Sequence, residues 1–73
     1  MTKLPTISAR DCSAALSKVG SYLKRQRGSH MILRWDAPFA QLSVPDHKEL
    51  DRGTLRAILR AAGLTPEEFS ELL

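Results

Sequence analysis

The sequence predicts a two-layer α+β domain, in which two helices pack on one face of a three-stranded antiparallel sheet. Three observations support this fold class. Apolar residues recur at helical spacing near both ends of the chain, the segment between them has strand-like alternation broken by turn signals, and 73 residues leave room for a single domain. We therefore expect residues 1–73 to fold as one α-β-β-β-α unit with a short additional helix at the C-terminus.

The first helix is predicted close to the N-terminus. Ser8-Ala9-Arg10-Asp11 has the form of a capping box, in which the serine hydroxyl accepts from the amide three residues on and the acidic side chain reaches back. Four apolar residues then follow at helical spacing, namely Cys12, Ala15, Leu16 and Val19. Gly20 suits the left-handed conformation that ends many helices. The pattern predicts a helix from about Ala9 to Val19.

A β-hairpin is predicted next. Residues 22–27 alternate imperfectly, and Gly28-Ser29 supplies a turn before a second run at residues 30–35. Tyr22 and Trp35 alternate onto the faces of this hairpin. We expect both rings to fill the core, because a core this poor in aromatic residues needs their bulk, although either ring could also stack on a base.

The third strand is predicted from the most regular alternation in the chain. A proline-containing loop at residues 36–40 leads to Gln41-Leu42-Ser43-Val44, in which apolar and polar residues alternate strictly. Pro45 ends this strand, because proline has no amide to donate to a sheet.

Two helices are predicted in the last third of the chain. Four apolar residues repeat at helical spacing, namely Leu55, Ile58, Leu59 and Ala62. Asp51 or Thr54 is the candidate N-cap and Gly63 the C-terminal stop. Thr65-Pro66 then starts a short terminal helix. The resulting order of elements is also that of a double-stranded-RNA-binding domain.

Positive charge is concentrated in the first half of the chain. Residues 1–35 contain seven Lys or Arg and one Asp, a net charge of +6. Residues 36–73 contain four basic and seven acidic residues, a net charge of −3. Such a field on a small domain is typical of proteins that bind a phosphate-rich partner, although charge alone leaves nucleic acid and an acidic protein both open. A membrane surface fits least, because the basic stretch lacks amphipathic-helix spacing.

The composition argues against several classes of protein. The single cysteine, Cys12, permits neither an intramolecular disulfide nor a paired-thiolate zinc site, and its place on the apolar helix face makes it a core residue. The longest apolar runs are triplets, too short for a membrane-spanning helix or a signal sequence. A core of this size cannot enclose a large cofactor. We therefore expect a cytoplasmic protein without a metal, small-molecule cofactor or membrane partner.

His30 is the candidate catalytic residue. The residues around it supply a turn and four cations, namely Gly28-Ser29, Lys24, Arg25, Arg27 and Arg34. An imidazole among cations suits metal-free RNA cleavage, because it can take the 2′-hydroxyl proton or protonate the leaving 5′-oxygen while the cations stabilise the phosphorane. Spacing alone leaves open a histidine that is structural or merely exposed.

Two other polar features have competing explanations. His47 precedes the second long helix, where a turn histidine with a backbone hydrogen bond is favoured over a substrate contact. Arg52, Arg56 and Arg60 are spaced by four and form one stripe of that helix. The stripe can contact phosphates or pair with nearby acidic residues, and Arg60 is the candidate RNA contact among the three.

Several segments together resemble the HicA toxins and cover nearly the whole chain in order. They are Leu4-Pro5, Ser8-Ala9-Arg10-Asp11, Leu16 through Gly20, Arg25-Gln26-Arg27-Gly28-Ser29-His30, Val44-Pro45 with His47, and the run from Arg52 to Leu64. Two positions depart from the family pattern. Residues 36–40 stand where a short Pro-Asp-Gly-like turn is common, and Asp46 stands where a basic or neutral residue is usual.

The resemblance implies an mRNA-cleaving toxin of a bacterial type II toxin–antitoxin pair. It also implies a double-stranded-RNA-binding-domain-like fold, a single catalytic histidine that maps onto His30, and a HicB-type antitoxin that covers the active face. On this basis the residues expected to bind RNA are Lys24, Arg25, Arg27, Gly28, Ser29 and Arg60.

Two other classes of function fit the same residues. A non-catalytic RNA-binding module would use the basic hairpin to hold phosphate, with His30 only a contact residue. An adaptor for an acidic protein would have no affinity for RNA even at low salt.

Overall fold

The computed structural model describes residues 3–73 and has the predicted order of elements. In chain order these are α1 (Ala9–Ser17), β1 (Tyr22–Arg27), β2 (His30–Asp36), β3 (Phe39–Pro45), α2 (Arg52–Ala62) and α3 (Pro66–Ser70). The strands form one antiparallel sheet in the order β1-β2-β3. The predicted α+β class, with the α-β-β-β-α order of a double-stranded-RNA-binding domain and a short C-terminal helix, is confirmed. Within residues 3–73, no helix has the length and apolar character needed to cross a membrane.

The helices cover one face of the sheet and leave the other face open. Met31 and Leu33 of β2 belong to the core and pair in register with Val44 and Leu42 of β3. Because successive side chains of a strand point to opposite faces, the residues between them lie on the side away from the helices. Ile32, for example, lies on that open side.

The core lies between the sheet and the helices. Its fully buried side chains come from every layer: Cys12, Leu16, Leu33, Val44, Leu55, Leu59 and Phe69. Cys12 is therefore a core residue, as predicted, and burial raises the pKa of its thiol to about 11. The thiol is protonated near neutral pH and cannot serve as a nucleophile.

The short helix α3 is held to the domain by its side chains. Phe69 is fully buried, and burial of a phenylalanine side chain contributes about 1.5–3 kcal/mol. Thr65 and Glu68 form the reciprocal capping box: the Glu68 amide donates to Thr65 Oγ1 at 3.1 Å, and the Thr65 amide donates to Glu68 Oε1 at 2.8 Å.

Side-chain caps also set the starts of α1 and α2. The Asp11 amide donates to Ser8 Oγ at 3.0 Å, which is the serine half of the predicted capping box. The Thr54 amide donates to Asp51 Oδ1 at 2.7 Å, so Asp51 rather than Thr54 is the N-cap of α2. Gly63 ends α2 with φ 76°, as its position predicted.

Helix α1 ends earlier than the sequence predicts. Its last residue is Ser17, residues 18–20 form a turn, and Val19 is 42% exposed rather than part of the core. The Val19 carbonyl accepts a hydrogen bond from Trp35 Nε1 at 3.1 Å. Gly20, with φ 102°, lies against the same indole. The turn thus packs around the half-buried Trp35 ring. This ring packs against the core, as expected.

The segment from 36 to 40 is not the loop that the sequence predicts. Strand β2 continues to Asp36, β3 begins at Phe39, and a two-residue turn, Ala37-Pro38, connects them. The third strand therefore starts two residues before the predicted Gln41. The reason is that Asp36 and Phe39 pair in register, so only two residues are left for the turn.

Tyr22 also differs from its prediction. It is 43% exposed and does not fill the core. It pairs in register with Arg34, a residue of the open side, and its hydroxyl donates to Asp36 Oδ1 at 2.9 Å. A β-bulge between Leu23 and Arg25 shifts the register of β1 along the rest of the strand.

Candidate active site and nucleic-acid interface

Three of the seven residues predicted to act on RNA, His30, Arg25 and Arg27, lie on the side of the sheet away from the helices. Four rows of residues in register cross this surface, which we call the open face: Arg27-His30-Pro45, Arg25-Ile32-Ser43, Tyr22-Arg34-Gln41 and Asp36-Phe39. Side chains in adjacent rows on one face of a sheet are close enough to act on the same ligand. The fold thus joins the candidate histidine and two candidate arginines on one surface.

His30 is the first residue of the central strand and is exposed. Its Nδ1 lies 3.1 Å from Ser43 Oγ, on the neighbouring strand. A serine hydroxyl both donates and accepts, so this hydrogen bond forms with either tautomer of the imidazole. The bond fixes the ring on the open face and leaves Nε2 as the nitrogen available to a ligand.

Ser43 is a site residue that the sequence pattern does not predict. The alternation of Gln41-Leu42-Ser43-Val44 already placed its side chain opposite the core. What the sequence did not show is the register, which brings Ser43 beside the row of His30. A hydrogen bond from the neighbouring strand to one ring nitrogen is the usual way in which a reactive histidine is oriented.

The turn before His30 is exposed and free of obstruction. Gly28 has φ 56°, and no atom lies within 4 Å of the place where a Cβ would be. The carbonyl of Ser29 accepts from the amide of Asp46 at 2.7 Å, and the carbonyl of Gly28 accepts from Gln26 Nε2 at 3.2 Å. The turn is therefore held through its two carbonyls, by the Asp46 amide and the Gln26 side chain, while the space beside Gly28 stays open.

Asp46 anchors the turn from the segment after β3. Its backbone amide donates a hydrogen bond to the Ser29 carbonyl. Its Oδ2 accepts a second hydrogen bond from Gln26 Nε2 at 3.3 Å and lies 3.6 Å from Arg10 Nη2. The Asp46 side chain is 23% exposed. This explains an acidic residue at a position where the resemblance leads one to expect a basic or neutral one: the carboxylate is engaged in holding the turn.

The candidate cations differ in where the fold places them. Arg27 lies beside His30 in register, and Arg25 lies one row further along the open face. Lys24 is exposed and lies in the β-bulge of β1. Arg60, in contrast, lies on α2, which packs on the other face of the sheet. It borders a groove between α2 and α3 and is not brought together with His30.

His47 lies outside the open face. Its carbonyl accepts from the Ala9 amide at 2.9 Å, and its own amide donates to the Pro45 carbonyl at 2.8 Å. Its side chain is exposed and lines a shallow groove with Arg10 and Lys48. These contacts agree with the favoured explanation of a histidine in a turn, although the main chain rather than the ring makes the hydrogen bonds.

Two ionised side chains meet at the end of the open face that is distant from His30. Arg34 Nε lies 3.1 Å from Asp36 Oδ1, the same oxygen that accepts from the Tyr22 hydroxyl. That hydrogen bond to the carboxylate raises the pKa of Tyr22. The Arg34 guanidinium also lies over the Phe39 ring, 4.8 Å from its centroid.

Histidine, cysteine and carboxylate side chains do not cluster in a way that suits a metal. Among residues 3–73, no group of three or more of them could hold an ion.

A comparison with known families decides the assignment. The family described as the HicA toxin of bacterial toxin–antitoxin matches residues 9–64, which run from the start of α1 to just beyond the end of α2. The chain belongs to the HicA toxin family. The match includes all three strands and both long helices of this HicA-family protein, and hence the whole open face. No curated protein matches the chain.

Membership of the HicA family makes the protein a toxin of a toxin–antitoxin system. The structure shows where the proposed site residues and the two departures from the family pattern lie. His30 and Ser43 lie on the open face next to the Gly28-Ser29 turn. Of the two departures from the family pattern, segment 36–40 supplies the row Asp36-Phe39 of this face, and Asp46 directly follows Pro45 of the row that contains His30.

Proposed function

We propose that this HicA-family protein is a metal-independent endoribonuclease that cleaves mRNA in the cytoplasm and is neutralised by a HicB-type antitoxin. The observation that supports the proposal most is the geometry of His30: an exposed imidazole, oriented through Nδ1 by Ser43 and adjacent in register to Arg27. General acid–base catalysis needs such an oriented group beside groups that attract the substrate.

The RNA strand binds along β1 and the turn that follows it. Arg25, Arg27 and Lys24 supply positive charge for the phosphates. Gly28 has no side chain, and no atom lies within 4 Å of the place where its Cβ would be, so the backbone of the substrate can approach the turn beside His30 closely. This electrostatic binding is independent of sequence and weakens with salt.

His30 transfers a proton at the cleaved phosphodiester. As the 2′-oxygen bonds to phosphorus and the P–O5′ bond breaks, Nε2 either takes the proton of the attacking 2′-hydroxyl or gives a proton to the leaving 5′-oxygen, and solvent water transfers the other proton. The negative charge that develops on the phosphorus oxygens is stabilised by Arg27, which lies next to His30 in register. Ser43 is a positioning residue that holds the ring in place.

The antitoxin acts by covering the same surface. The open face is broad and shallow, so a bound protein can exclude a polymer from it without entering a pocket. The first 35 residues carry a net charge of +6, which favours a partner with acidic groups at the contact. The cations that bind phosphate would then also contribute to recognition of the antitoxin.

A second function, a non-catalytic RNA-binding module, fits part of this geometry. The exposed arginines and the open turn bind phosphate whether or not His30 moves a proton. What favours the nuclease is the fixed orientation of the ring, since a residue that only contacts phosphate has no need of a hydrogen bond to Nδ1.

One experiment separates these two functions. Purified protein is incubated with a single-stranded RNA in excess EDTA, and the products are resolved by length. The nuclease produces shorter fragments despite the chelator, whereas the module leaves the RNA intact and binds it in a salt-sensitive way. Intact RNA over a range of enzyme concentrations would overturn the catalytic proposal.

The partner is tested in the same assay. The reading frame that adjoins the gene is expressed and its product added in increasing amounts. Full inhibition of cleavage at a stoichiometric ratio is expected if the product is the HicB-type antitoxin. Cleavage unaffected by a folded product at high concentration would contradict the proposed partner.

A further inference from the structure

The open face has a second group of side chains besides the histidine and its cations. At its distant end, a tyrosine, an arginine and a phenylalanine come from β1, β2 and β3 respectively: Tyr22, Arg34 and Phe39. Neither ring fills the core. Phe39 is 64% exposed and Tyr22 43% exposed, the first being the highest exposure among the large apolar side chains described.

These side chains contact one another across the three strands. Asp36 Oδ1 accepts from the Tyr22 hydroxyl and lies 3.1 Å from Arg34 Nε. The Arg34 guanidinium in turn lies 4.8 Å from the centroid of the Phe39 ring. One carboxylate therefore accepts a hydrogen bond from the Tyr22 hydroxyl and forms an ion pair with Arg34, and the guanidinium lies over the second ring. The result is a π surface that remains accessible to solvent.

Charge distinguishes this end of the face from the end that holds His30. Arg25, Arg27 and the imidazole attract phosphate, whereas the carboxylate of Asp36 neutralises Arg34 locally. A phosphate group gains little binding free energy at the neutralised end, whereas a nucleobase gains binding free energy by stacking on the aromatic and guanidinium planes. The two ends thus favour different parts of one nucleotide chain.

The separation of the two ends suits one RNA strand. Six residue steps separate His30 from Asp36 along β2, which corresponds to roughly 20 Å. At the ~3.4 Å spacing of stacked nucleotides this is about six nucleotides, and fewer in an extended strand. An RNA strand that is cleaved at His30 can therefore reach the aromatic end with bases that lie several nucleotides from the cleaved phosphodiester.

We propose that Tyr22, Arg34 and Phe39 form a base-stacking subsite for single-stranded RNA, separate from the site of cleavage. This inference rests on the proposed RNA substrate but not on catalysis. Bases in a duplex are stacked on each other and present only their edges, so the subsite selects unpaired RNA. It also gives a physical role to Phe39, which lies in the segment where the chain departs from the pattern of its family.

Binding measurements on a variant that cannot cleave test the subsite directly. In the His30→Ala background, affinity for a labelled ten-nucleotide RNA is measured with and without Phe39→Ala. The loss of one stacked base predicts an affinity about 5- to 150-fold lower. Phe39→Tyr should retain the affinity. Tyr22→Ala is an independent second variant, and Leu73→Ala is the matched control, because Leu73 is 53% exposed but lies outside the open face.

The form of the RNA supplies the discriminating comparison. Phe39→Ala should have no effect on the binding of a dinucleotide, of a duplex, or of a ten-nucleotide strand that lacks bases away from the cleavage position. An equal loss for the strand without bases would show that Phe39 acts on the backbone, and would overturn the subsite. Affinity within twofold of the parent for both aromatic variants would also overturn it.

Failure of the subsite and failure of the proposed catalysis give different results. Cleavage that depends on His30, with binding insensitive to both rings, removes only the subsite. Binding that depends on Phe39, without any cleavage by the unaltered protein, removes only the catalytic proposal. If Phe39→Ala weakens the antitoxin complex and not RNA binding, the aromatic surface is a protein contact and the inference is wrong.

Discussion

The Nδ1 atom of His30 lies 3.1 Å from the hydroxyl oxygen of Ser43, across the boundary between β2 and β3. His30 lies at the start of its strand, where the chain leaves a turn and where a side chain without a partner would move freely. The contact with Ser43 couples the imidazole to the rigid part of the sheet. The proposed catalysis depends on this relationship.

Ser43→Ala is predicted to reduce the rate of cleavage while leaving substrate binding unchanged. One side-chain hydrogen bond is worth about 0.5–1.5 kcal/mol, so kcat should fall about two- to tenfold with KM within twofold. Ser43→Thr keeps the hydroxyl and should restore the rate. Steady-state kinetics of the two variants make the check, and equal rates for the alanine variant and the unaltered protein would contradict the positioning role.

Arg27→Ala is predicted to weaken RNA binding and to lower its dependence on salt. Each phosphate contact to a single strand contributes about −0.7 to the slope of log K against log salt concentration, so the slope should become less steep by roughly that amount. Arg60 lies on the helical layer, so Arg60→Ala should change the slope less. A larger change for Arg60 than for Arg27 would contradict the proposed path of the strand. Titrations at several salt concentrations decide between them.

Gly63→Ala is predicted to destabilise the fold by about 1–2 kcal/mol through the backbone alone. Gly63 has φ 76°, and no atom lies within 4 Å of the place where a Cβ would be, so no clash contributes. In a domain of this size each kcal/mol lowers Tm by roughly 4–8 °C. Gly53→Ala is the comparison within the same helix, since Gly53 does not have positive φ and alanine favours a helix. Equal loss of stability in both variants would contradict the backbone explanation.

Asp51 is predicted to make the free energy of unfolding decrease as the pH falls in the acid range. The backbone amide of Thr54 donates a hydrogen bond to the Asp51 carboxylate, and the Thr54 side chain donates another. These hydrogen bonds hold the pKa of Asp51 below its usual range. The folded-state pKa is lowered, so the contribution is complete above the unfolded value of about 3.9 and is lost as pH falls through the folded value. Asp51→Asn keeps a capping side chain without this titration, and its urea stability should fall less steeply below pH 4. An identical acid dependence in both proteins would be inconsistent with the cap as its source.

The sequence predicted those parts of the fold that depend on local signals. The alternation in residues 41–44 predicted which side of β3 faces the core, and the caps at Asp51 and Thr65 lie where N-cap residues precede apolar periodicity. The placement of Cys12 in the core likewise followed from helical spacing. In each case a few neighbouring residues determine the outcome.

The sequence-based predictions that are wrong concern features that depend on contacts between distant segments. Val19 fits the apolar pattern of α1, but the indole of Trp35 binds its carbonyl and the helix ends before it. Tyr22 was assigned to the core, yet register places it on the open face beside Asp36. Register depends on the pairing of whole strands, and a single residue shift exchanges the two faces, so short-range patterns cannot determine it.

The candidate site shows the same division. The sequence located His30, Arg25 and Arg27 within one short segment, and the fold brings them onto one face. It also suggested Arg60, which the fold places on the helical layer instead. Ser43 was not recognised, because its partnership with His30 arises only from the pairing of β2 with β3.

The most direct test of the account is the rate of RNA cleavage by His30→Ala in the presence of EDTA. His47→Ala is the matched control, since His47 is also an exposed histidine but lies outside the open face. We predict that His30→Ala loses cleavage to below the detection limit while keeping its fold and RNA affinity, and that His47→Ala cleaves at the rate of the unaltered protein. Cleavage retained by a folded His30→Ala protein would contradict the central claim.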